Sequence, residues 1–86
     1  LSYEKTLASR VKLLRERHDL LQAEVAEGVK LSTSTYSNIE TGYAKSTKLK
    51  TVIAFADFYG VTTDFLLGRT DKTLDKYGTL IIDPHS

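Results

Sequence analysis

The segment from Gln22 to Gly42, QAEVAEGVKLSTSTYSNIETG, constrains this chain more than any other. Val25, Ala26 and Val29 fall on one face of a helix over Gln22–Val29. Tyr36 and Ile39 do the same for a second helix over Thr33–Glu40. Lys30 to Ser32 leave room between them only for a tight turn. Ser32 is a good N-cap for the second helix, and Gly42 suits the left-handed residue that ends it. That helix has one apolar side. Its other side carries small hydrogen-bonding groups: Thr33, Ser34, Ser37 and Asn38.

The flanking sequence supplies partners for the apolar sides. Leu7, Val11, Leu14 and His18 recur at i, i+4, i+7 and i+11, which predicts a helix over about Tyr3–Arg17 with these residues inward. Asp19 and Leu20 connect it to the next helix. A fourth helix is expected over about Lys48–Tyr59, capped by Ser46 or Thr47 and ended by Gly60. Its inward stripe is read as Leu49, Val52, Ile53, Ala56 and Tyr59. Thr62 caps a short fifth helix, Thr63–Leu67, whose Phe65, Leu66 and Leu67 close the core. The expected fold is all-α with five helices over residues 1–68, followed by a tail over 69–86.

Eighty-six residues suffice for one domain, which buries only about 60% of its unfolded surface. With no Cys, the chain has no disulfide, thiolate nucleophile or Cys-ligated zinc. No apolar run approaches the ~20 residues of a membrane span and no signal peptide opens the chain, so it reads as soluble, intracellular and without a membrane partner. Opening on Leu1, it is expected to be processed or part of something longer. The net charge of +1 is uninformative, but its distribution is not. Residues 1–20 carry +2 and residues 43–50 carry +3, while residues 21–42 carry −2 and residues 51–86 carry −2. Two basic clusters thus flank a stretch with no basic residue between Lys30 and Lys45. Such clusters are either solvated faces or phosphate clamps on both sides of a neutral base-reading element.

From Arg10 to Gly68 the chain resembles the lambdoid phage repressor and Cro family of helix-turn-helix regulators, the XRE type. The resemblance rests on RVKLLR near the start, Gln22 with Ala26 four residues on, and Leu31-Ser32 at the turn. STYSNIETG and GVTTDFLLG complete it. It implies a five-helix lambda-repressor-like domain whose third helix enters the DNA major groove. Thr33, Ser34, Ser37 and Asn38 would then face bases. Gln22 would meet a phosphate at the start of the second helix, and Lys45 and Lys48 would approach the backbone, with Arg17 a further phosphate candidate. Glu40 would pair with Arg15 in a structural ion pair rather than serve as a catalytic acid. The chain departs from the family pattern at three places. Lys30 stands where Gly is usual and must tolerate a left-handed or strained conformation. Leu21 replaces a capping residue, and no Pro follows Gly42.

Each candidate also has a plainer role. Asn38 is either a bidentate partner for adenine N6 and N7 or a solvated helix residue. Thr33, Ser34 and Ser37 either touch DNA or simply permit close approach. Gln22, Lys45 and Lys48 either meet phosphates or are merely solvated, and Tyr36 is read as core. His18 and His85 are far apart and make no metal site. Neither a catalytic triad, a Gly-rich phosphate loop nor a carboxylate pair is present, so no enzyme activity and no cofactor are expected. The reading is a sequence-specific double-stranded DNA binder, a repressor acting on a near-palindromic operator as a homodimer. The alternative is a protein-interaction module, such as an antitoxin that also autoregulates. Protein partners in view are a toxin, an anti-repressor, or RNA polymerase touched by Glu24 and Glu27. The apolar run within Tyr77–Ile82 has strand composition. It is a dimerisation strand, the start of a further domain, or a loose end.

Overall fold

A computed structural model describes residues 3–44 and 46–70. Five helices follow one another: α1 (Tyr3–Arg17), α2 (Gln22–Gly28), α3 (Thr33–Glu40), α4 (Leu49–Tyr59) and α5 (Thr63–Leu66). The described residues are all-helical, as the periodicity requires. α3 packs on α1 and α2, while α5 packs on α1 and α4.

One apolar core holds the helices together. α1 contributes Leu7, Val11 and Leu14; α2 and its end contribute Val25, Ala26 and Val29; α3 contributes Tyr36 and Ile39. From α4 come Val52, Phe55, Ala56 and Tyr59, joined by Val61, Phe65 and Leu66. Tyr36 and Phe55 are fully buried and meet at the centre, their ring centroids 5.9 Å apart. The helix ends are made locally. Ser32 Oγ accepts the Thr35 N–H at 3.1 Å, and Thr62 Oγ1 accepts the Phe65 N–H at 3.1 Å. Each cap satisfies one of the donors that a helix start leaves without a partner.

The turn between α2 and α3 carries strain. Lys30 has φ 61°, the left-handed region that a Cβ disfavours. What holds it there is the Leu31 N–H, donated to Ala26 O at 2.8 Å, with the Lys30 N–H on Glu27 O at 3.2 Å. These two bonds close α2 and aim the chain into α3. Leu21 offers no side-chain cap to α2. Glu24 Oε1 compensates by accepting the Leu21 N–H at 2.8 Å.

Several expectations are corrected. Val29 lies just beyond α2, as its buried C-cap residue. The N-cap of α4 is Lys48, without a side-chain cap, so neither Ser46 nor Thr47 fills that role. Leu49 and Ile53 are not inward but 71% and 44% exposed, and Phe55 takes the central place. The stripe at 52, 55, 56 and 59 follows the helical period as well as the expected one does; packing in the common core selects it, with Phe55 against Tyr36 of α3. His18 is exposed, with its ring centroid 5.5 Å from that of Tyr59. Leu67 follows α5 and is only partly buried. Lys45, His85 and the apolar run of the tail lie outside the described residues.

Candidate nucleic-acid interface

α3 turns Tyr36, Ile39 and Glu40 inward and leaves its other face to solvent. Thr33, Ser34 and Asn38 are exposed on it and Ser37 is partly so. None of these four side chains has a hydrogen-bond partner among the described residues. Their donors and acceptors are thus available to a partner, without the desolvation that breaking an internal bond would cost. By contrast, Thr35 is tied to the Ser32 cap, with Ser32 Oγ donating to its hydroxyl at 2.8 Å. Thr41 Oγ1 donates back to Ser37 O at 2.9 Å.

The orientation of α3 is set from beneath by a charged group. Arg15 Nε donates to Glu40 Oε2 at 2.9 Å and Arg15 Nη2 to Glu40 Oε1 at 2.8 Å, a two-pronged pair. Arg15 Nη1 also donates to Leu20 O at 3.0 Å. Gln22 Nε2 reaches Glu40 Oε1 at 3.3 Å. The Glu40 and Arg15 side chains are only 4% and 17% exposed. Burial opposes ionisation of Glu40, yet the hydrogen bonds from Arg15 and Gln22 outweigh it and hold its carboxyl below the ordinary value. The hydrogen bonds to Glu40 raise the Arg15 guanidinium above its own. Burial pushes the Tyr36 phenol far up, helped by the Glu40 charge, and the Tyr59 phenol up to about 12. Both buried phenols lie close enough to Glu40 for its carboxylate to help raise them. The ends of α1 and α3 and the start of α2 thus meet on one carboxylate.

The phosphate candidates divide. Lys48 is exposed at the start of α4 and lines one groove of about 390 Å³ with Asn38, Tyr43 and Ser46. Gln22 begins α2, but its amide nitrogen is engaged with Glu40, which the sequence pattern did not reveal. Arg17 is partly buried in the last turn of α1. Tyr43, a residue of that groove, is not among the sequence candidates. An aromatic immediately after the Gly that ends α3 was the signal for it. Among the described residues no group of three or more His, Asp or Glu is placed to hold a metal ion, and no helix is long and apolar enough to cross a membrane.

Residues 11–66, about two-thirds of the chain, match the helix-turn-helix family. The chain belongs to that family. This helix-turn-helix chain is 38% identical over 69 residues to the cryptic phage CTXphi transcriptional repressor RstR of Vibrio cholerae, across 80% of its own length and 61% of that protein's. It is 30% identical over 66 residues to the HTH-type transcriptional regulator ImmR of Bacillus subtilis (strain 168), across 77% of its own length and 51% of that protein's. It thus spans between half and two-thirds of these curated relatives. No solved structure matches it. The resemblance to the phage repressor and Cro family of helix-turn-helix regulators is borne out.

Proposed function

We propose that this helix-turn-helix chain is the operator-binding part of a cytoplasmic transcriptional repressor that acts as a homodimer. The observation that carries the reading is the outer face of α3. Four small polar side chains stand there without internal partners, on a helix locked in angle by the buried Arg15–Glu40 pair. A helix so displayed fits the major groove, where Asn38 would address an adenine edge and Thr33, Ser34 and Ser37 would contact bases through hydroxyls, methyls and water. With no Arg on that face, part of the specificity would come from DNA shape. Lys45, Lys48 and Arg17 would take phosphates. Gln22 would use the amide N–H that Glu40 leaves over. Residues 1–68 form the DNA-binding unit, and residues 69–86 assist dimerisation.

Two copies would place their α3 helices in successive major grooves ~34 Å apart, so the operator is a near-palindrome. Repression would follow from occlusion of a promoter. Selection from a random double-stranded pool at physiological salt tests this. Enrichment of a near-palindrome with half-sites one helical turn apart is the expected result. Folded protein that enriches no sequence would refute it and favour a protein partner, such as a toxin.

A further inference from the structure

We propose that Tyr43 anchors the end of the recognition helix to the DNA backbone, its ring against a deoxyribose and its hydroxyl donating to a phosphate oxygen. The proposal rests on the reading of α3 as the groove-entering helix and adds to it a residue and a kind of contact.

At 81% exposure, Tyr43 shows the largest fraction of its surface among the exposed large hydrophobic side chains of the described residues. Its place is nonetheless well defined. Gly42, at φ 82°, turns the chain back at the end of α3. The Gly42 N–H is donated to Ile39 O and the Ala44 N–H to Asn38 O, each at 3.1 Å. Both neighbours of Tyr43 are therefore fastened to the last turn of α3, and the side chain between them projects from that end of the helix. It shares the groove with Asn38 and Lys48. No acidic residue lines this groove, and its one charged lining residue among those described is Lys48. The Tyr43 hydroxyl has no hydrogen-bond partner among the described residues.

A phenol suits this position for a chemical reason. Its flat apolar body covers a sugar, and its hydroxyl supplies a donor that a phosphate oxygen accepts. A second copy of the chain would match the ring, but would leave Lys48 beside it without a counter-charge. The DNA backbone meets both. Because the hydroxyl is neutral, it adds affinity without displacing a counterion. This predicts a signature that a lysine contact cannot give.

The test uses the full chain, a duplex carrying the selected operator and a scrambled duplex of equal length, with affinity measured across a salt series. Y43F should weaken binding about tenfold on both duplexes, the size of a lost hydrogen bond to a charged group, and Y43A further still. Neither should change the slope of log K against log salt, whereas K48A should reduce it by about one. Y43A should melt with the wild type. Unchanged affinity in both Tyr43 variants, beside impaired K48A and N38A, would overturn the anchor and leave the reading of α3 standing. A loss in Y43A but none in Y43F would overturn the phosphate bond. Loss of the dimer in free Y43A, seen by sedimentation, would assign the ring to a second copy instead. Wild-type protein with no operator preference would overturn the reading of α3 and the anchor together.

Discussion

Replacing Glu40 by Ala should unfold much of the domain rather than subtly alter its DNA contacts. Glu40 accepts three hydrogen bonds, two from Arg15 at 2.8 and 2.9 Å and one from Gln22 at 3.3 Å, with its side chain 4% exposed. Truncation removes the carboxylate but leaves the Arg15 guanidinium, 17% exposed, with Leu20 O as its remaining partner in this cluster. Breaking one side of such a buried pair costs about 3–5 kcal/mol. A chain of this length has roughly 4–13 kcal/mol of total stability, so the loss is a large fraction. At about 4–8 °C per kcal/mol, the melting midpoint should fall by about 12–40 °C. Thermal and urea melts followed by circular dichroism measure this directly. Glu40→Gln keeps an acceptor and should lose less. Arg15→Leu with Glu40→Leu removes both charges, and should be less damaging than Glu40→Ala alone because no orphan charge stays buried. A Glu40→Ala midpoint within a few degrees of the wild type would refute the reasoning, since the cost comes from the charge left behind.

Three further outcomes follow from the same geometry. Because the folded Glu40 carboxyl titrates below its ordinary value of 4.5, its contribution is full above that value and is lost as pH falls through the lower folded value. Wild-type stability should therefore decline in that acid range more steeply than that of Glu40→Gln; parallel curves by urea titration would count against it. Lys30→Gly should stabilise the domain by about 0.5–1 kcal/mol, as relief at φ 61° exceeds the entropy that Gly adds to the unfolded chain. A lower urea midpoint would show that Lys30 is held by contacts rather than strained. Asn38→Ala should reduce discrimination at one base pair per half-site by about 1–3 kcal/mol, leaving nonspecific binding and its salt slope intact. Equal loss on every sequence tested would make Asn38 a scaffold residue.

Two of the three positions where this chain departs from its family pattern show how local chemistry reads through. Lys30 in place of Gly announces a left-handed or strained residue, and the turn holds it at φ 61°. Leu21 announces a missing cap, and the Glu24 carboxylate fills the gap from three residues on. Gln22 is the opposite case. Its position at the start of α2 suggests phosphate, but only the approach of α3 brings Glu40 within 3.3 Å of its amide.

Local chain chemistry set the five helices and most of their caps and stops, because periodicity, Ser32, Thr62, Gly42 and Gly60 act within a few residues of chain. It also determined the polar face of α3, since any helix over Thr33–Glu40 that buries Tyr36 and Ile39 must expose Ser34 and Asn38. Tertiary structure alone decided which stripe of α4 is buried. Leu49 and Ile53 compete with Phe55 on equal terms in the sequence, and only packing in the common core, with Phe55 on Tyr36 of α3, settles the matter. It also decided which residues share a surface. Asn38, Tyr43 and Lys48 form one groove because the chain folds back after Gly42, and a one-dimensional pattern carries no information about that return.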